Sequence, residues 1–342
     1  MSINAAFRGP RLAARVPTLV GPSTFAGDRA RDRRLLSIAG LGFAIVLWGA
    51  NWPVMKMGLN HVTPLWFSAL RFATGAACLF AVQMFRGGIS LPKRDDLPFI
   101  VTIGILQMMV FTALGAVAMT HLPAGRSAIL SYTTPLWVTP ASIFFFQERV
   151  PALRIGGIVL AALGVAILVN PFAIDWSDAG VVSANIMLLA ASLCWAVCIL
   201  HLRYFKAASS AIALAPWQML LATGLLVPFA FFSEGPFTGD GSSTFIAATL
   251  FVGPVATAFC FVAVNGASTW LPATTMSTAM LGVPVTGVAL SLAFLGERMT
   301  FPLASGSIAI VAGIALNAMS SRYNSNRYPI KPPQNSAEGD PQ

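Results

Sequence analysis

Leu122-Pro123-Ala124 recurs as Leu271-Pro272-Ala273, and this pair decides how the rest of the chain is read. The shift of 149 positions that superposes them also places Pro135 on Pro284, Glu148-Arg149 on Glu297-Arg298, Gly157 on Gly306 and Gly164 on Gly313. The chain is written twice. Each copy holds five apolar stretches long enough to cross a bilayer, which takes about 20 residues. They are expected near 35–56, 64–85, 98–119, 125–147 and 152–172, and again near 181–202, 211–233, 244–268, 274–295 and 302–320. Five is odd, so the second copy must enter the membrane upside down. The expected fold is an all-α integral membrane bundle of ten transmembrane helices arranged as two inverted five-helix repeats. Inverted repeats of this kind characterise secondary transporters, with the solute path between the halves. The organisation read from these segments is a disordered cytoplasmic tail at 1–34, a first repeat at 35–172, a second at 173–320 and a disordered tail at 321–342.

Composition agrees. Of the 342 residues, 56% are hydrophobic and 10% are charged, against about 25% charged in a soluble domain. The net charge of +9 lies mostly in tails and short loops, which is a topology signal rather than a nucleic-acid surface. With the N-terminus in the cytoplasm, 17 of the 21 Lys and Arg residues fall on the cytoplasmic side. Both termini are therefore expected inside, in a multi-pass protein of the plasma (bacterial inner) membrane. Residues 1–34 carry no apolar core of signal-peptide length. The four cysteines all lie within apolar runs, without the spacing of a metal site.

No Walker loop, GxSxG elbow or HExxH motif is present, so no catalytic residue, metal or cofactor is expected, and the chain is read as a non-enzyme. The anomalies are polar residues inside helices. Arg71 lies about two turns into the second helix, where an Arg costs about 2.5–3.5 kcal/mol on insertion scales. It is either an interhelical clamp or a contact for a substrate carboxylate. Trp48, Asn51 and Trp52 cluster around Pro53, whose ring breaks the helical ladder. Trp195 occupies the matching place at an offset of 147, while Val197 falls near the place of Asn51, and Met219 and Leu220 near that of Arg71. Gln107, Tyr132, Thr133 and Gln218 complete the candidate cavity. The hydroxyls before Pro135 and Pro284 either cap freed carbonyls or face a polar solute, and the two prolines, with Pro53, are candidate hinges. Glu148-Arg149 and Glu297-Arg298 read as helix-end ion pairs on opposite faces of the membrane. Small residues at Gly157, Ala161 and Gly164, and at Gly306, Ala309 and Gly313, suit close packing within the bundle, with a homodimer as the sharper reading.

Together these residues resemble the drug/metabolite transporter superfamily, EamA type. The likeness rests on the ten helices, Trp48-Gly-x-Asn51, Pro64 with Arg71, the runs Phe145-Phe146-Gln147-Glu148 and Phe294-Leu295-Gly296-Glu297, and the Gly-rich closing helices. It covers about 35–320. It implies a central cavity formed by helices 1–4 and 6–9, with helices 5 and 10 as peripheral supports. It also implies an inner-membrane carrier, commonly an exporter of amino acids or related metabolites.

The expected function is thus secondary transport of a small polar or zwitterionic solute across a lipid bilayer by alternating access. Lys56 and Arg71, with no carboxylate in the membrane core, disfavour cations as solutes. The alternatives are a drug-efflux or uptake carrier of the same fold and, outside transport, a sensor, scaffold or intramembrane enzyme.

Overall fold

The computed structural model describes residues 23–148, 150–169, 177–271, 276 and 279–327, with backbone alone for 23–34, 317–318 and 320–327. The helices are α1 (Ser23–Gly58), α2 (Pro64–Phe85), α3 (Arg94–His121), α4 (Ala124–Phe146), α5 (Ala152–Val169), α6 (Ala179–Tyr204), α7 (Ala211–Glu234), α8 (Ser243–Ser268), α9 (Gly282–Leu295) and α10 (Phe301–Arg327). The first eight are long and apolar enough to cross a membrane, while α9 and the apolar part of α10 (Phe301–Leu316) are shorter. No strand occurs among the described residues. The outer surface is strongly apolar, with Leu36, Phe144, Phe145, Phe232 and Ile308 all exposed. Lipid tolerates such a surface and water does not, and helices satisfy their own backbone groups, which is why they can meet lipid at all.

Helix ends follow local chemistry. Pro64 opens α2 at a position whose N–H would be unpaired in any case. Asp178 caps α6, Ser210 caps α7 and Ser242 caps α8 through side-chain oxygens that accept backbone N–H bonds. α1 begins at Ser23, inside the segment expected to be disordered, and α10 runs to Arg327, past the expected boundary. The stretch before Leu35 is rich in Ala and Arg, good helix formers that extend an existing helix without a new nucleation cost.

Two features escaped the periodicity argument. The middle of α3 (Ile103–Val110) and the middle of α8 (Phe251–Phe259) are π-helical. α4 is broken into Ala124–Ser131 and Pro135–Phe146, because Pro135 can donate no hydrogen bond to the preceding turn. Pro53, by contrast, lies within the continuous α1. Gln147 and Gly296 end α4 and α9 in the left-handed conformation, at φ 51° and 64°. The helix-end turns at 147 and 296 thus share one backbone geometry.

Neighbours come in matched pairs. α1 packs on α8 and α9, as α6 packs on α3 and α4; α2 packs on α8, as α7 packs on α3. α2 lies along α7, α4 on α9, and α5 along α10. In the last pair the small residues are used up within the molecule. A Cβ on Gly313 would lie 2.4 Å from the Gly157 carbonyl, and one on Gly306 would lie 2.9 Å from that of Gly164. Loops pin the halves together at both ends. At one end His61 meets Asp240 at 2.6 Å, and the Glu234 carboxylate accepts the Leu65 and Trp66 amides. Hydrogen bonds from the Ser242 backbone N–H and from His61 hold the Asp240 carboxyl down at about 2, so it stays ionised at neutral pH. At the other end Asp96 accepts the Ala208 and Ser209 amides, and Gln83 donates to the Ile212 and Ala213 carbonyls.

Candidate functional site: a cavity between the two halves

A cavity of about 390 Å³ lies at the centre of the bundle, lined by α1–α4 and α6–α8. It brings together eight of the nine residues singled out from the sequence: Trp48, Asn51, Trp52, Arg71, Gln107, Tyr132, Trp195 and Gln218. Thr133 is placed elsewhere. It is fully buried, and its hydroxyl donates to the Leu130 carbonyl and meets Ser192 of α6 at 3.1 Å. That is the capping role open to a hydroxyl beside the Pro135 break. Tyr132 enters the cavity because it sits in the same break, off the helical path.

The polar groups on the walls are incompletely satisfied. Arg71 Nε donates to Thr257 Oγ1 of α8 at 2.7 Å, and Nη1 meets the Met55 sulfur of α1 at 3.2 Å. A guanidinium carries five N–H donors, and a thioether is a weak acceptor, so most of its donor capacity faces the cavity. Arg71 therefore bridges α1, α2 and α8 while also lining the cavity. Among the described residues the side-chain amides of Gln107 and Gln218, the Tyr132 hydroxyl and the Trp195 indole N–H have no hydrogen-bond partner. The Asn51 amide reaches only the Met55 sulfur, and its oxygen is buried without a donor. Trp48 differs from Trp195: its indole donates to the Ala256 carbonyl in the π-helical part of α8 at 2.6 Å. Apolar faces of Phe72, Phe111, Phe261 and Met119 fill the remaining wall, and among the described residues no Asp or Glu lines it.

The π-helical segments position this site. Gln107 and Met108 come from one, Ala256 and Thr257 from the other. Each carries a glycine that lets it approach a helix of the other half. A Cβ at Gly104 would stand 2.9 Å from the Gln218 carbonyl, and one at Gly253 would stand 2.8 Å from the Arg71 carbonyl. The backbone thus makes Gln218 the counterpart of Arg71 in the second half, where sequence matching at a shift of 149 points to Leu220. The shift is 147 over α1 and α2, as the N-caps Thr63 and Ser210 show, and two further residues at the end of α7 restore 149. A single global shift hides this.

The cavity reaches one end of the bundle and not the other. Phe99, Leu202, Ala207 and Ser209 line it at the end that carries Asp96. At the opposite end it stops at Trp52, Met55 and Met119, all nearly inaccessible. Beneath that floor Lys56 donates to the Met119 and Leu122 carbonyls, and Glu297 accepts the Ala124 and Gly125 amides at 2.6 and 3.1 Å. The expected pairing of Glu297 with Arg298 is therefore replaced by capping of α4, since two backbone donors at a helix start outbid an exposed guanidinium. Glu148 is held by Arg203 at 2.7 Å and by the Tyr204 hydroxyl at 2.6 Å, with Arg154 at 4.0 Å. Arg149 lies outside the described residues. Pro284 lies near the start of α9 and is buried.

The sequence profile of the EamA-like transporter family matches residues 36–170 and again 182–319. An uncharacterized transporter of Bacillus subtilis is 24% identical over 272 residues, covering 80% of this chain and 93% of that protein. A protein of Escherichia coli named "Probable amino-acid metabolite efflux pump" is 26% identical over 291 residues, covering 82% and 93%. One of Streptantibioticus cattleyicolor, named "Probable terminal-alkyne amino-acid exporter", is 25% identical over 281 residues, covering 81% and 92%. A solved crystal structure superposes with a TM-score of 0.59 at 21% identity, over 85% of this chain and 97% of that one, a likeness of fold.

Proposed function

This chain belongs to the EamA-like transporter family, and from that premise we propose that it is a secondary transporter of the plasma membrane that exports amino acids or related small polar metabolites by alternating access. The observation that carries the reading is the cavity itself. It lies between the two halves, presents the half-buried Arg71 guanidinium with unmet donors, and is lined by no carboxylate among the described residues. Such a site attracts a carboxylate and disfavours an organic cation. The amides of Gln107 and Gln218 offer neutral contacts to an amino or hydroxyl group. The relatives named for amino-acid efflux support the same solute class.

The two halves are read as inverted repeats of five helices each, which the matched neighbour pairs support. The distribution of Lys and Arg puts both termini in the cytoplasm. The end lined by Phe99, Leu202 and Ser209 then faces inward, and the structure is the state that loads from the cytoplasm. A drug-efflux carrier is the second reading, favoured by the aromatic surfaces of Trp48, Trp52, Phe72, Phe111, Trp195 and Phe261.

Counterflow in proteoliposomes tests the proposal, with neutral, acidic and basic amino acids offered in turn. Saturable exchange of one class is expected. Arg71→Ala is expected to weaken its apparent affinity by about 10- to 100-fold, the scale of a lost charge-assisted hydrogen bond of roughly 1.5–3 kcal/mol. Exchange unaffected by Arg71→Ala in a folded protein overturns the anchor, and transport of lipophilic amines without amino acids favours the drug carrier.

A further inference from the structure

The cavity is rich in unmet donors and holds nothing to neutralise a cation. Arg71 is the only charged side chain that lines it among the described residues. The chain has 12 acidic residues, and none is left for this site. Asp96 accepts the Ala208 and Ser209 amides, Glu148 pairs with Arg203, and Asp178 caps α6. Glu234 takes the Leu65 and Trp66 amides, Asp240 meets His61, and Glu297 caps α4. The other six lie by sequence outside the apolar stretches. An ammonium group entering here gives up its water with no anion to replace it, whereas a carboxylate meets a guanidinium. The rest of the wall favours bulk. Trp195 stands edge-on to Tyr132 at 5.2 Å and to Phe111 at 5.4 Å, and Trp48, Trp52 and Phe72 extend the aromatic surface. The volume of about 390 Å³ falls within the roughly 300–1,000 Å³ of pockets that enclose drug-sized ligands. A small polar amino acid leaves most of that surface unfilled.

We propose that the preferred solute is an amino-acid derivative carrying a single negative charge: a carboxylate, an amino group that is acylated or replaced by hydroxyl, and an aromatic or large apolar side group. Arg71 takes the carboxylate through its unmet donors. Gln107 and Gln218 take the amide or hydroxyl, because a neutral side-chain amide can donate and accept but cannot balance a charge. These two glutamines come from α3 and α7, which pack together where Gly104 approaches the Gln218 backbone. The side group lies against the aromatic wall. The inference rests on the transport reading above and on its Arg71 anchor, and it narrows the solute class.

Titration calorimetry on the purified full-length protein tests this with L-phenylalanine, N-acetyl-L-phenylalanine and phenyllactate, which differ only at the amino position. The two anions are expected to bind about 10- to 100-fold more tightly than the zwitterion, the scale of an unpaired buried group. N-acetyl-L-alanine is expected to bind about tenfold more weakly than N-acetyl-L-phenylalanine, the scale of one buried aromatic side chain. Gln107→Glu supplies the missing carboxylate at almost the same volume and is expected to narrow or reverse the preference for the anions. Where that variant fails to fold, the wild-type series decides by itself. Equal or tighter binding of L-phenylalanine overturns the inference and leaves amino-acid transport standing. Equal binding of the two N-acetyl compounds overturns the assignment of the aromatic wall. Binding of none of the four overturns the inference outright, and counterflow of alanine or serine in the same preparation then shows separately whether the transport reading survives.

Discussion

Arg71 shows how one residue serves fold and site together. Its Nε bond to Thr257 ties α2 to α8, while its other donors face the cavity. Thr133, one residue after Tyr132, belongs to the frame alone. Its hydroxyl is buried between Leu130 and Ser192. Thr133→Val keeps the volume but removes the hydroxyl that bonds Leu130 and Ser192, while Ser192 keeps Trp137 and Leu189. It is expected to lower stability by about 1 kcal/mol, seen as a fall in the unfolding temperature in detergent, while the apparent affinity for solute stays unchanged. A loss of affinity without loss of stability would place Thr133 in the site. Sequence alone separates Tyr132 from Thr133 poorly, because both precede the same proline and only the break in α4 decides which one turns inward.

At the scale of helices, backbone strain and close contacts make two predictions. Gln147 adopts a left-handed conformation that its counterpart Gly296 adopts freely. Gln147→Gly is expected to raise stability by up to about 1 kcal/mol, since a side chain at such a position is disfavoured by roughly 1–2 kcal/mol. A thermal-shift measurement checks this, and destabilisation would show that the Gln147 side chain has a structural role. Gly313 faces Gly157 across the α5–α10 contact, at a distance no side chain could share. Gly313→Leu is expected to separate these helices at a cost of about 1–3 kcal/mol or more, read as reduced thermal stability. The small-residue stripes visible in the sequence suit either internal packing or a dimer. The tertiary contacts use them internally. A variant that is stable but changes its oligomeric state on size-exclusion chromatography would reverse that assignment.

For the molecule as a whole, the cavity opening sets a test of orientation. In a cysteine-free background, Leu202→Cys lines the open end and is well exposed. It is expected to react with a membrane-impermeant maleimide in inside-out vesicles and to stay unlabelled in intact cells. The opposite pattern would invert the topology. Much of this architecture was legible from residue type and spacing. Apolar segments of spanning length, the duplicated landmarks and the charged loops depend on hydropathy, which acts locally along the chain, and eight of the nine candidate residues meet in one cavity. What the sequence by itself determined is therefore an all-helical membrane bundle of a transporter family and the polar residues inside it. The tertiary structure alone decided which of those residues share the cavity and which end of it is closed. It also decided that each π-helical segment packs on a matching helix of the other half, so that Gln218 takes the place in one half that Arg71 takes in the other, and that Glu297 caps α4 rather than pairing with Arg298. These outcomes turn on helix register and on competition between acceptors far apart in the chain, and hydropathy is blind to both.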